Sequence, residues 1–479
     1  MKVDEARCRS CLARACMRQR LAHRRAVHKP TNQVKSMRVL HKSNQCFERG
    51  RRVIPDGVSS PMRAFAQVGG QPFCVASAKG AVVRDVDGNE YIDMLNGFGA
   101  LILGHAPAPV VEAIGAQAAL GTVYGFSTEL EYRLAERIVA STPAIDQVRF
   151  VCSGTEAVMT AARIARAHTA RSLLVKFVGS YHGHSDVMLA TPANLNASAD
   201  QTKGVSRGIT EALNREVLLC EYNDLNQLQD LFAKHGDDIA AVLVEPIATN
   251  MGFVRPQPGF HEGIRALCDQ HGALFIFDEV VTGFRFRLGG VCSKMDIKPD
   301  LVTFGKIIGG GTPIGAFAGR RDLMKHVQIG QSVFQSGTFA ANPLTMAAAN
   351  AALDVLSQPG FYEGMDQRGA WLESAIQREF ASHDIPFLFT RYGALSGIAF
   401  RKGDSQMHSY RDVKTQQYGL YQAVHARMLN AGFIMAPSLE EPVFLSAAHT
   451  QSHIERFAGA LAGSIAAVLA ESSDQRLSA

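Results

Sequence analysis

Lys306 lies two residues beyond the apolar run Leu301-Val302-Thr303-Phe304 and leads into Ile307-Ile308-Gly309-Gly310-Gly311. Upstream, the run Ala273-Leu274-Phe275-Ile276-Phe277 ends in Asp278-Glu279. An amine and a carboxylate, each at the end of what reads as a buried strand, suit pyridoxal phosphate (PLP) chemistry. The lysine holds the aldehyde as a Schiff base, and the acid keeps the pyridine nitrogen protonated. A protonated ring draws electrons from the carbon attached to the substrate nitrogen, and a lysine freed by imine exchange can move the proton. Each residue also has a plainer reading. Asp278 could be a solvated acid at a strand end, and Lys306 a surface lysine lying along apolar neighbours. Their joint occurrence favours the chemical reading.

Ser153-Gly154-Thr155 falls between a strand pattern and a helix pattern, where hydroxyls and free N–H groups can hold a dianionic phosphate. Taken alone it reads as readily as an N-cap with Glu156 in the first turn. Gly309-Gly310-Gly311 has neither G-x-G-x-x-G nor Walker spacing. Glycines beside the lysine instead permit close approach of backbone to a cofactor.

The elements that must place these residues follow an alternating pattern. Gln147–Cys152, Leu173–Phe177, Ala240–Val244, Ala273–Phe277 and Leu301–Phe304 are short apolar runs, each ending in polar residues or glycine, with helical periodicity between them. The pattern predicts an α/β fold with a mostly parallel sheet flanked by helices. Ligands of such sheets gather at the carboxyl ends of the strands, where Ser153, Glu245, Asp278 and Lys306 would meet. Ala81 to Asp93 alternates and turns at Asp87-Gly88, a hairpin signal. We expect a basic tail over 1–44 and an N-terminal segment of a small domain over 45–108. A large cofactor-binding domain over 109–341 and a C-terminal small α+β domain over 342–479 would follow, the last opening with a helix from Pro343 to Leu356.

The chain has 479 residues, 47% hydrophobic and 19% charged, enough for a large core. The formal charge of +5 comes from residues 1–52, which hold 15 Lys and Arg against 3 Asp and Glu, so the body suggests no nucleic-acid binding. No apolar run approaches the roughly 18 residues of a membrane span. No membrane association is expected, and the nine scattered cysteines suit reduced thiols in the cytoplasm. Cys8, Cys11, Cys16, His23 and His28 could be offered as a zinc site, but the second pair lacks finger spacing, so no metal is expected. The tail itself reads as disordered, as an Arg-rich targeting extension opposed by Asp4 and Glu5, or as a start placed upstream of Met37.

From about residue 45 onward the chain resembles the class III (fold type I) PLP aminotransferases, and within them most closely the glutamate-1-semialdehyde 2,1-aminomutase group. The segments that carry the resemblance include Pro61-Met62-Arg63-Ala64-Phe65, Ser153-Gly154-Thr155-Glu156-Ala157, Tyr181-His182-Gly183-His184, Phe277-Asp278-Glu279-Val280, Phe304-Gly305-Lys306-Ile307 and Leu445-Ser446-Ala447-Ala448-His449. It implies catalytic roles for Lys306, Asp278 and Tyr181. Tyr181 would stack on one face of the ring and Val280 on the other, with Ser153, Gly154 and Thr155 at the phosphate and Glu245 and Asn250 near the ring. Thr338 would reach the phosphate of a neighbouring subunit, since the family forms homodimers with sites at the interface. Arg63 would hold the substrate carboxylate and Glu441 would face the amine end. On the residues alone, Arg63 is a surface arginine and Tyr181 a core aromatic.

The chain also departs from the aminomutase pattern. Gly97-Phe98-Gly99 stands for Ser-Trp-Gly, and Val123-Tyr124-Gly125-Phe126-Ser127-Thr128 for Ser-Phe-Gly-x-Pro-Thr. Thr191–Ala197 replaces a glycine-rich gating loop, leaving only Gly204-Val205 as an echo. Phe98 and Phe126 would make the pocket more apolar. A changed gate favours product release, whereas Arg63 and Glu441 favour a substrate with a carboxylate at one end and an amine at the other. The expectation is an aminomutase or close paralogue forming 5-aminolevulinate. The alternative is a class III aminotransferase with altered substrate, for example in secondary metabolism, and a PLP-binding protein without activity is a third reading.

Overall fold

A computed structural model describes residues 38–194, 198–295, 297–401, 403 and 406–477, apart from the side chains of 472–477. The stretch 1–37, with the cysteines and histidines weighed as a zinc site, lies outside the described residues. Val39–Ala479 forms one compact unit. The tail boundary expected at 44 falls inside a helix, His41–Arg51. Its first turn has no side-chain cap of its own. Asp87 supplies one from the hairpin turn, accepting from Lys42 N at 2.7 Å and Ser43 N at 2.9 Å.

The predicted hairpin joins β2 (Val82–Asp85) and β3 (Glu90–Asp93), with β1 (Val75–Lys79) antiparallel to β2. The Asp85 carboxylate accepts from Asp87 N at 3.0 Å and Asn89 N at 2.8 Å, and Gly88 takes φ 89°, so the turn is held by its own residues.

Further along come β4 (Gln147–Val151), β5 (Leu173–Phe177), a short hairpin of β6 (Ala190–Pro192) and β7 (Thr202–Gly204), β8 (Val217–Cys220), β9 (Ile239–Val244), β10 (Leu274–Asp278), β11 (Leu301–Gly305) and β12 (Gly315–Gly319). Seven of them form the central sheet, in the order β4-β12-β11-β10-β9-β5-β8. Every pair is parallel except those made by β12, which runs antiparallel between β4 and β11. All residues of β9, β10, β11 and β12 are buried, as strands covered on both faces must be.

The sequence gives β12 no strand signal, because Gly-Ala-Phe-Ala-Gly lacks the β-branched residues that mark strands. Packing dictates that composition. A side chain at Gly315 would lie 2.1 Å from Ser153 O, and one at Gly319 would lie 2.6 Å from Leu301. The helix Gly154–Thr169 settles on this surface through Ala157, Ala161 and Ala165, each 0% exposed.

After the expected helix Pro343–Leu356, capped by Asn342, come β13 (Leu388–Tyr392), β14 (Leu395–Ala399), β15 (Phe433–Ile434) and β16 (Val443–Phe444). β13, β14 and β16 form one sheet, while β15 pairs in parallel with β3 and so ties the two ends of the chain together. One sequence expectation needs correction. Gln451–Glu471, within the last helix Gln451–Leu477, is long and apolar enough to cross a membrane by length and composition. Alanine and glycine spread its hydropathy around the helix. Ile454, Phe457, Leu461 and Ile465, spaced three and four apart, are 0% exposed in the protein core.

Candidate active site

Four strands of the central sheet end at one edge. β10 finishes in Asp278, β11 is followed by Lys306, β9 by Glu245, and β4 by Ser153 and the helix from Gly154. Register places Asp278 opposite Thr303, and Thr303 Oγ1 donates to Asp278 Oδ1 at 3.1 Å. Lys306 takes φ 48°, a left-handed conformation rare outside glycine, which turns the chain sharply where the strand ends.

A cavity of about 200 Å³ opens at this edge. Gly154, Thr155, Tyr181, Glu245, Asn250, Asp278, Val280 and Lys306 line it, so the structure brings together most of the residues predicted to hold a cofactor. Ser153 does not line it. The Ser153 hydroxyl accepts from Glu156 N at 3.2 Å, and Glu156 Oε2 reaches back to Cys152 N at 2.7 Å. The serine therefore caps its helix, as its other reading had it. The Thr338, Arg63 and Glu441 side chains are also outside the lining. Thr338 is exposed, and Arg63 is exposed on the turn Pro61–Ala64. Glu441 borders a neighbouring small cavity with Tyr421 and Met435. Phe98 and Phe126, expected to make the pocket more apolar, form no part of its wall, and Phe126 is 87% exposed.

The acid is more tightly held than the sequence suggests. Asp278 Oδ2 lies 2.7 Å from His182 Nδ1, and Oδ1 also accepts from Val280 N at 3.1 Å. His182 is buried, and its Nε2 has no hydrogen-bond partner among the described residues. Sequence reasoning quoted His182 within Tyr-His-Gly-His but gave it no role, since nothing in the order of residues links it to an acid 96 positions away. Thr303 was missed for the same reason.

Glu245 is a second organised carboxylate. Its Oε1 accepts from Tyr181 N at 3.1 Å, and its Oε2 from Thr249 N, Thr249 Oγ1 and Asn250 Nδ2, all at 2.9 Å.

Burial pushes the Lys306 amine below its usual range. Glu441, Asp278 and Glu245 oppose that shift and Arg285 adds to it. Burial likewise pushes Glu441 up to about 7, against the pull of Lys306 and with Glu245 and Glu440 adding to the rise. Tyr181 is raised by burial and by Asp278 and Glu441.

The residues present fit PLP. Gly154 faces Val280 so closely that a side chain there would meet Val280 Cγ1 at 3.0 Å. Gly183, at φ 84°, crosses Thr155 where a side chain would lie 2.6 Å from Thr155 Oγ1. These glycines leave the helix N-terminus at Gly154-Thr155 open to an anion. The orphaned nitrogen of His182 continues the polar chain that starts at Asp278.

Comparisons with known proteins agree with this geometry. The family model described as aminotransferase class-III matches residues 65–461. Over 417 residues, 87% of this chain and 96% of the relative, the chain is 42% identical to glutamate-1-semialdehyde 2,1-aminomutase 2 of Brevibacillus brevis. Among solved structures, an omega-transaminase from Sphaerobacter thermophilus is 32% identical at a TM-score of 0.83, covering 88% of this chain and 97% of its own. A glutamate-1-semialdehyde-aminomutase from Pseudomonas aeruginosa in complex with PMP is 26% identical at a TM-score of 0.79, covering 89% and 94%. With its sheet edge, paired acid and amine, and a family match spanning most of its length, this chain belongs to the class-III aminotransferases.

Proposed function

We propose that the chain is a PLP-dependent enzyme that moves an amino group on a substrate bearing a carboxylate, and that its activity is that of a glutamate-1-semialdehyde 2,1-aminomutase forming 5-aminolevulinate. The observation that carries this reading is the convergence of Lys306 and Asp278 on one cavity, in a chain 42% identical over most of its length to a protein of that name. When bound, PLP supplies an electron sink that acidifies the carbon attached to the substrate nitrogen. Lys306 would hold the cofactor, and its amine would carry the proton, a task eased because burial favours its neutral form. Asp278, oriented by His182 and Thr303, would hold the ring nitrogen protonated. Gly154 and Thr155 take the phosphate at the helix N-terminus. Tyr181 and Val280 would hold the ring between them, and Glu245 fixes Tyr181 and Asn250 at the same cavity. Glu441 faces the amine end of the substrate and Arg63 its carboxylate.

Thr338 and Arg63 act in the context of a second copy, in a homodimer with sites at the interface. Supporting this, Ile329, Phe334 and Phe339, in the stretch that carries Thr338, are 101%, 80% and 59% exposed, large apolar side chains of the kind an interface covers. We read 109–341 as the large domain and 45–108 with 342–479 as the small one, because β15 closes the sheet begun by β1 to β3. A cytoplasmic location accords with the free thiols of Cys46, Cys74, Cys152, Cys220, Cys268 and Cys292.

A second reading, an aminotransferase that releases a keto product, draws on Thr191-Pro192-Ala193-Asn194, the end of β6 and the residues after it, in place of a glycine-rich gate. Glutamate-1-semialdehyde offered alone separates the two. Formation of 5-aminolevulinate without added acceptor supports the mutase, and strict dependence on an amine donor or keto acceptor supports the transaminase.

A further inference from the structure

Arg285 is 3% exposed, and among the described residues no carboxylate pairs with it. A buried guanidinium without a counter-ion is costly, so whatever holds it there repays attention. Its Nε donates to Val281 O at 2.9 Å, fastening the segment that follows Asp278 and forms the cavity wall at Val280, Val281 and Thr282. Its Nη2 donates to Gly99 O, and its Cζ stands 5.1 Å from the Phe444 ring centroid.

Gly99 closes a turn in which Asn96, Gly97, Phe98 and Gly99 take φ of 49°, 62°, 56° and 83°. Left-handed backbone is unfavourable for a residue with a bulky side chain, so Phe98 above all needs restraint from outside. Asn96 Nδ2 supplies part of it by donating to Phe444 O at 2.7 Å. Phe444 lies on β16, three residues after Glu441. On the far side of the turn, Leu101 lies against Gly311 in the segment that follows Lys306.

We propose that Arg285 is a positioning residue for the Lys306 site. It locks the Val280–Thr282 wall to the left-handed turn at Asn96–Gly99 and to the strand next to Glu441, and it sets a guanidinium without a carboxylate partner among the described residues against the wall that Val281 shares with Lys306. The proposal rests on PLP binding at Lys306. The charged groups that act on that amine are Glu441, Asp278 and Glu245, which favour its protonated form, and Arg285, which opposes them; burial pushes Arg285 itself down to about 9, against the pull of Tyr362.

The test is a pH titration of the visible absorbance of the holoenzyme, with kcat and KM measured alongside. Removing a nearby positive charge favours the protonated lysine nitrogen, so Arg285→Gln should raise the titration midpoint by about one unit and lower kcat about tenfold. Arg285→Lys should keep the midpoint near wild type while restoring kcat only in part, since an ammonium cannot reproduce the guanidinium fork. Gly99→Ala moves the brace without deleting the charge, because its side chain would meet Arg285 Nη2 at 2.6 Å and Phe444 at 2.5 Å. Its midpoint should rise as well, which keeps the test open if Arg285→Gln does not fold. An unmoved midpoint in both folded variants, with loss of thermal stability alone, overturns the proposal. A wild-type protein with no cofactor absorbance instead overturns the PLP reading on which it rests.

Discussion

At Arg63 and Glu441 the proposed chemistry makes demands that single substitutions can meet or refuse. A guanidinium hydrogen-bonded to a carboxylate is worth about 1.5 to 3 kcal/mol. Arg63→Ala should therefore raise KM for carboxylated substrates about tenfold to a hundredfold while leaving KM for simple amines unchanged, and equal effects on both would remove its role. Glu441 gives a pH signature. Its carboxyl titrates at about 7 in the folded chain against an ordinary 4.5, so the folded state keeps a proton that the unfolded state has lost. Its stabilising contribution is complete below about pH 4.5 and disappears as pH rises through about 7. In urea unfolding, wild type should lose stability relative to Glu441→Gln between pH 5 and pH 8, and parallel curves would contradict the burial argument. Lys306 and Asp278 were legible in sequence because each ends an unmistakable apolar run. His182, Thr303 and Arg285 were not, because their partners lie across the fold: nothing in a run of residues announces that a histidine will meet an acid on another strand, or that a buried arginine will find a backbone carbonyl.

Elements place these residues through glycine and helix ends. Gly183 has φ 84° and passes so close to Thr155 that any side chain would collide with it. Gly183→Ala should cost about 1 to 3 kcal/mol through backbone strain, displace the Thr155 hydroxyl and raise the Kd for PLP at least about tenfold. Equilibrium dialysis of the apoenzyme measures this, and unchanged affinity would show that the loop relaxes at no cost. The parallel strands were readable because burial on both faces writes continuous apolar runs into the sequence. β12 was hidden for the opposite reason. Its glycines and alanines are set by the backbone that presses on them, so the strand carries the signature of its neighbours instead of its own. The helix His41–Arg51 was concealed in the same way, since the acid that caps it comes from a hairpin 44 residues further on.

For the whole molecule, the exposed Ile329, Phe334 and Phe339 and the exposed Arg63 are what the proposed homodimer would cover. Sedimentation at micromolar concentration should find a dimer. Phe334→Ser should weaken it and lower activity with concentration, whereas a fully active monomer would remove Thr338 from the site. Only the resemblance implies such an assembly, because an exposed phenylalanine looks in sequence like one destined for the core. Every role proposed here converges on the amine of Lys306. Borohydride reduction of the holoenzyme followed by peptide mapping should find a single phosphopyridoxyl label on Lys306, and Lys306→Ala should bind PLP without labelling and without turnover. A label on another lysine, or full activity in Lys306→Ala, would contradict the account.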